Sequence, residues 1–130
     1  MPRNRRKPRR LIADGHTYLW TVRHTHDVTD QGRACRETLW LHPQPVGSGP
    51  SLRIVFAAEP GRFVPGGAPL GSGDVGYVRG ASLNLHEPGA VRALLDAASA
   101  RGRRSEGRRP VEFDGWSLLE EAAAARDVSD

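Results

Sequence analysis

The sequence predicts an α+β fold: an antiparallel β-meander of four to five strands, followed by two C-terminal helices packed on one face. Three observations predict it. Residues 18–26 alternate in the period of two that a half-buried strand requires, 35–42 read as the next strand, and 51–58 carry apolar residues on both faces as a central strand does. None of the 15 Gly and 10 Pro of the 130 residues falls within these segments; they lie outside them, where the chain turns. Two later segments repeat apolar residues at helical spacing, Val91, Leu94, Leu95 and Ala98 in one, Trp116, Leu119 and Ala122/Ala123 in the other.

The elements follow in order. Residues 1–9 read as a disordered basic arm, charged and without an apolar anchor, and residues 10–130 as one domain. Leu11 to Tyr18 form a tight hairpin around Asp14-Gly15, because a type I′ turn needs positive φ at both central residues. The strand over 18–26 puts Tyr18, Trp20 and Val22 on one face, and the strand over 35–42 follows it. Residues 51–58 are apolar on both faces, which marks a central strand. Residues 59–80, with seven Gly and three Pro, read as a long loop. Leu83 and Leu85 suggest a short strand. Pro88 then opens a helix at a position where its missing N–H costs nothing, and Gly102 ends it. Val111 and Phe113 suggest another short strand, and Asp114 caps a final helix over 115–126.

Charge is unevenly placed. The chain carries 19 basic and 15 acidic residues, net +4. Arg3, Arg5, Arg6, Lys7, Arg9 and Arg10 lie in the first ten residues with no acid among them, so the remainder has 13 basic against 15 acidic residues. A second cluster, Arg101, Arg103, Arg104, Arg108 and Arg109, is interrupted only by Glu106. An acidic body with two basic patches favours a polyanionic partner at those patches, a nucleic acid or an acidic protein surface. Neither patch interleaves aromatic residues, and no helix-turn-helix or zinc-finger spacing occurs, so any interaction there is electrostatic. Arginine outnumbers lysine 18 to 1, the bias of a high-G+C bacterial genome, which takes weight from any single arginine.

Several classes are excluded or disfavoured. No run of about 18 apolar residues exists to span a membrane. Only Leu11, Ile12 and Ala13 follow the basic arm, where a signal sequence needs roughly 7–15 apolar residues. With Cys35 the sole cysteine, no intrachain disulfide forms; both facts point to the cytoplasm. Gly71-Ser72-Gly73-Asp74-Val75-Gly76 spells G-x-G-x-x-G, but the dinucleotide-binding version must follow a strand and open a helix, and here prolines precede it and Tyr77-Val78 follows. No G-x-S-x-G or H-E-x-x-H occurs.

His24 and His26 share a strand face. If the strands over 18–26 and 35–42 pair so that partner numbers sum to 61, Trp20 meets Leu41, His24 meets Glu37 and His26 meets Cys35. Two imidazoles, a thiol and a carboxylate then form a zinc-type ligand set. A register summing to 60 pairs Trp20 with Trp40 instead and turns Cys35 and Glu37 to the other face. The pattern leaves both registers open. Cys35 also lies between Arg33 and Arg36, a setting for a reactive thiol.

The functional expectation is a small non-catalytic binding or accessory protein without a cofactor. Its polyanionic partner is met through Arg3, Arg5, Arg6, Lys7, Arg9 and Arg10, with Arg103, Arg104, Arg108 and Arg109. The alternatives are a metal- or thiol-dependent small enzyme built on His24, His26, Cys35 and Glu37, and an inhibitor or immunity-type module that uses the acidic body.

Overall fold

A computed structural model describes residues 8–29, 32–64, 73–77, 80–101 and 109–129. β1 (Arg9–Ala13), β2 (His16–Thr29), β3 (Gly32–Gln44) and β4 (Leu52–Ala57) form the expected antiparallel meander. α1 (Pro88–Ala100) then carries the chain across to β8 (Val111–Asp114), which adds to β4 in parallel and completes a five-stranded sheet. A parallel neighbour requires such a crossover. α2 (Trp116–Ser129) follows and packs on α1. The architecture is the α+β one predicted.

The 59–80 segment differs from expectation. It is not a loop throughout: β5 (Arg62–Phe63) and β6 (Asp74–Tyr77) pair with each other, and β6 pairs with β7 (Ser82–Asn84) in a second, three-stranded sheet. Strands of two to four residues are too short for alternation to announce. The G-x-G-x-x-G run enters β6 rather than a helix, so it lacks the geometry that holds a pyrophosphate. Its Gly73 has φ 83°, and a Cβ there would lie 2.7 Å from the His86 ring. The arm also ends sooner than expected, because Arg9 already belongs to β1; residues 1–7 lie outside the described residues.

The β1–β2 turn is as the sequence requires, with φ 51° at Asp14 and 80° at Gly15. β2 and β3 pair over thirteen positions in the register summing to 61. Trp20 faces Leu41 and Val22 faces Leu39. A one-residue slip would carry Leu39 and Leu41 out of the core, and burial of each such side chain is worth about 1.5–3 kcal/mol. On this inner face Trp20, Leu39, Leu41, Leu52, Ile54 and Phe56 are buried. The stripe Val91, Leu94, Leu95 and Ala98 of α1 is buried too, as are Leu118, Leu119 and Ala122 of α2.

Trp116 joins the layers. Its ring meets Phe56 edge-on at 5.1 Å and lies 5.8 Å from the Tyr77 ring of the second sheet. The Trp116 Nε1–H donates to the Ala57 carbonyl at 2.8 Å, and the Tyr77 hydroxyl donates to the Trp116 carbonyl at 3.1 Å. Asp114 Oδ1 accepts from the Trp116 N–H, so the helix starts where the ring docks. A Cβ on Gly115 would come within 2.5 Å of Phe56, so only glycine permits this approach. Trp116→Ala is expected to cost about 3–5 kcal/mol in urea unfolding. Trp116→Phe, which keeps a ring and gives up the bond to Ala57, should cost clearly less. Equal, small effects in both variants would mean that α2 docks by other means.

Candidate metal centre

β1 leaves β2 at the Arg9–Trp20 pair, and β4 leaves β3 at the Arg36–Ala57 pair. Beyond Trp20, β2 therefore has β3 as its one strand neighbour among the described residues. The chemistry-bearing side chains gather on the inner face of this extension. Of the two registers open to the sequence, the one observed brings His24 opposite Glu37 and His26 opposite Cys35.

The cluster is graded from core to surface. Glu37 is 2% exposed, Cys35 8%, the His24 side chain 27%, and His26 is exposed. A buried carboxylate is costly unless hydrogen-bonded. Here Glu37 Oε1 accepts from His24 Nδ1. With Glu37 ionised and His24 neutral, Nδ1 carries the hydrogen and Nε2 keeps the lone pair that a metal needs. His26 Nδ1 lies 3.1 Å from Cys35 Sγ, and the two imidazole rings meet edge-on at 4.3 Å.

One ligating atom each from His24, His26 and Cys35 lies within 4.8 Å of the others. Ideal zinc bonds of about 2.0–2.1 Å to nitrogen and 2.3 Å to sulfur set ligand atoms roughly 3.5 Å apart, so side-chain movements of about 1 Å close the shell. The sequence suggests Glu37 as a fourth ligand. Its bond to His24 makes it instead the carboxylate that orients a ligand. Arg36 does not crowd the site, because strand alternation puts it on the opposite, exposed side of the sheet.

Of the predicted polyanion residues, Arg9, Arg10 and Arg109 are described. Arg3, Arg5, Arg6, Lys7, Arg103, Arg104 and Arg108 lie outside the described residues. Arg9 is engaged on the inner side: its guanidinium lies 4.9 Å from the Trp20 ring centre and donates to the His86 carbonyl at 2.8 Å. Arg10 is set on the other face of the sheet, and Arg109 is exposed ahead of β8. Sequence reasoning named Arg10 but missed Arg23 and Arg36, the exposed basic residues that share its face and lie far from it in the chain. The signal was cross-strand pairing, not charge density.

No family model, curated protein or solved structure matches this chain.

The burial gradient separates the cluster's members in metal-free protein. With chelator present, His24→Ala should cost about 1–3 kcal/mol in urea unfolding, because it strips a hydrogen bond from a buried carboxylate. His26→Ala, at an exposed position, should stay within about 0.5 kcal/mol. A cost at His26 as large as that at His24 would contradict the gradient.

Proposed function

We propose that this chain is a zinc-binding domain. His24 Nε2, a His26 ring nitrogen and Cys35 Sγ are the ligands, and Glu37 holds His24 in the ligating tautomer. The observation that carries the reading is the convergence of three ligating groups of two kinds, from two strands, within 4.8 Å on one sheet face. Imidazole with thiolate suits a borderline-soft ion such as Zn²⁺ better than Mg²⁺ or Ca²⁺, which take oxygen ligands. Zinc binds a thiolate and a neutral imidazole, so protons compete with the ion for these ligands and affinity falls as pH is lowered. Three protein ligands leave one coordination position for water or an exogenous ligand, and exposed His26 sets that position on the solvent side.

The ion would also tie β2, which has β3 as its one strand neighbour here among the described residues, to β3 at the last residue bonded by the β4 side, where the Ala58 N–H donates to the Cys35 carbonyl. Protein purified without an affinity tag should take up one Zn²⁺ per chain by elemental analysis. At a hundredfold excess of free zinc over Kd the fold should gain about 2.7 kcal/mol. His26→Ala and Cys35→Ser should each abolish that gain. Zinc well below one ion per chain after incubation and desalting, with a melting curve indifferent to zinc and chelator, would refute the proposal.

A further inference from the structure

The opposite face of the five-stranded sheet has a different character from the helix-covered one. Its residues are set by the same registers. Apart from Thr38, which is buried, its described side chains are exposed or half-buried. Arg10, Arg23 and Arg36 stand exposed on its β1–β3 half. Among the described side chains, the acidic groups on this face, Glu112 and Asp114, lie at the β8 edge, where Glu112 pairs with Arg53. In the middle, Trp40 and His42 stack nearly parallel, with ring centres 5.6 Å apart and 10° between planes, and the Arg53 guanidinium lies 5.2 Å from the Trp40 ring centre, so the His42 end is where a further ring adds.

We propose that this face binds single-stranded nucleic acid, with the phosphates on Arg10, Arg23 and Arg36 and a base added to the Trp40–His42 stack. Positive charge alone would suit any polyanion. Interleaved aromatic rings on an open sheet select one with planar bases, because every base offers a π-face and the sheet holds the rings in place. The acidic edge at β8 repels phosphate and so confines the strand's path to β1–β3. From Thr25 to Thr17 the face runs eight residues, about 27 Å at 3.4 Å per residue, room for about four nucleotides. At that end it meets a cleft of about 500 Å³ bordered by Thr17, Gln44 and Pro50. A duplex holds its bases in the stack and cannot use the rings, so single strands are preferred. The proposal does not depend on zinc, since none of these residues is a ligand.

The test is fluorescence anisotropy of the full chain with a short labelled oligouridine across a salt series. Arg10→Gln/Arg23→Gln/Arg36→Gln should weaken binding about tenfold or more and reduce the log–log salt slope by about 0.7 for each phosphate no longer neutralised. Trp40→Ala should weaken it about fivefold or more with the slope unchanged, while Trp40→Phe restores most of the affinity. Melting curves establish that the variants are folded; should Trp40→Ala be unfolded, a quenching of tryptophan emission on binding that is present in the unaltered protein and absent in Trp40→Phe reports the stacking instead. Three outcomes overturn the proposal: affinity unchanged in the triple arginine variant, a duplex of the same length binding as tightly, or polyglutamate competing as well as oligouridine at equal charge. The last would assign the face to an acidic protein.

Discussion

The pairing of β2 with β3 is the constraint on which everything else rests. Side chains alternate along a strand, so the register decides which half of each strand is core and which is surface. Trp20 against Leu41 and Val22 against Leu39 keep the register in place. Those pairs lie under the helices, where a slip would expose leucines that are fully buried. The same decision, carried outward along the two strands, sets the chemistry. His24, His26, Cys35 and Glu37 follow the core residues onto the inner face, and Arg23 and Arg36 take the outer one.

The two proposed sites are thus interleaved in one ribbon. Arg23 precedes His24, and Arg36 lies between Cys35 and Glu37. β1 stops short of this ribbon and β4 reaches only its base, so its order depends on the β2–β3 ladder itself and on the buried Glu37–His24 pair. A zinc ion bridging His24 and His26 to Cys35 would stiffen the strands that display Arg23 and Arg36. Metal and polyanion would then favour each other's binding, because the first to bind leaves less conformational freedom for the second to remove. Among the described residues Glu37 is the one charged group buried with the core, and the carboxylate–imidazole bond lets it sit there.

Much of the fold was legible. The Asp14-Gly15 turn, the alternation in β2, the strand patterns of β3 and β4, and the stripes of α1 and α2 are local signals, and each led to its element. The three-stranded sheet was not, because Arg62–Phe63 and Asp74–Tyr77 are short and set among glycines and prolines, which read as loop. The site was half legible. Strand spacing put His24 and His26 together, but Cys35 and Glu37 could join them only in one of two registers. Apolar matching of Trp20 with Leu41 fitted that register, yet the Trp20–Trp40 pairing was also compatible with the pattern. The basic face was only partly visible for a related reason: Arg10 belongs to the N-terminal charge run, but Arg23 and Arg36 belong to none and come near each other only across strands. Arg9 erred the other way, read as part of a charged arm although it packs on Trp20 and holds the His86 carbonyl.

The register is open to direct measurement. Cross-strand nuclear Overhauser effects in isotope-labelled protein report which residues face each other between β2 and β3. The account predicts proximity of His24 to Glu37, of His26 to Cys35 and of Trp20 to Leu41. Proximity of Thr25 to Cys35 and of Trp20 to Trp40 as directly facing pairs would mean that the strands pair one residue out of step. Cys35 and Glu37 would then face away from the histidines, and both proposed sites would fall with the register.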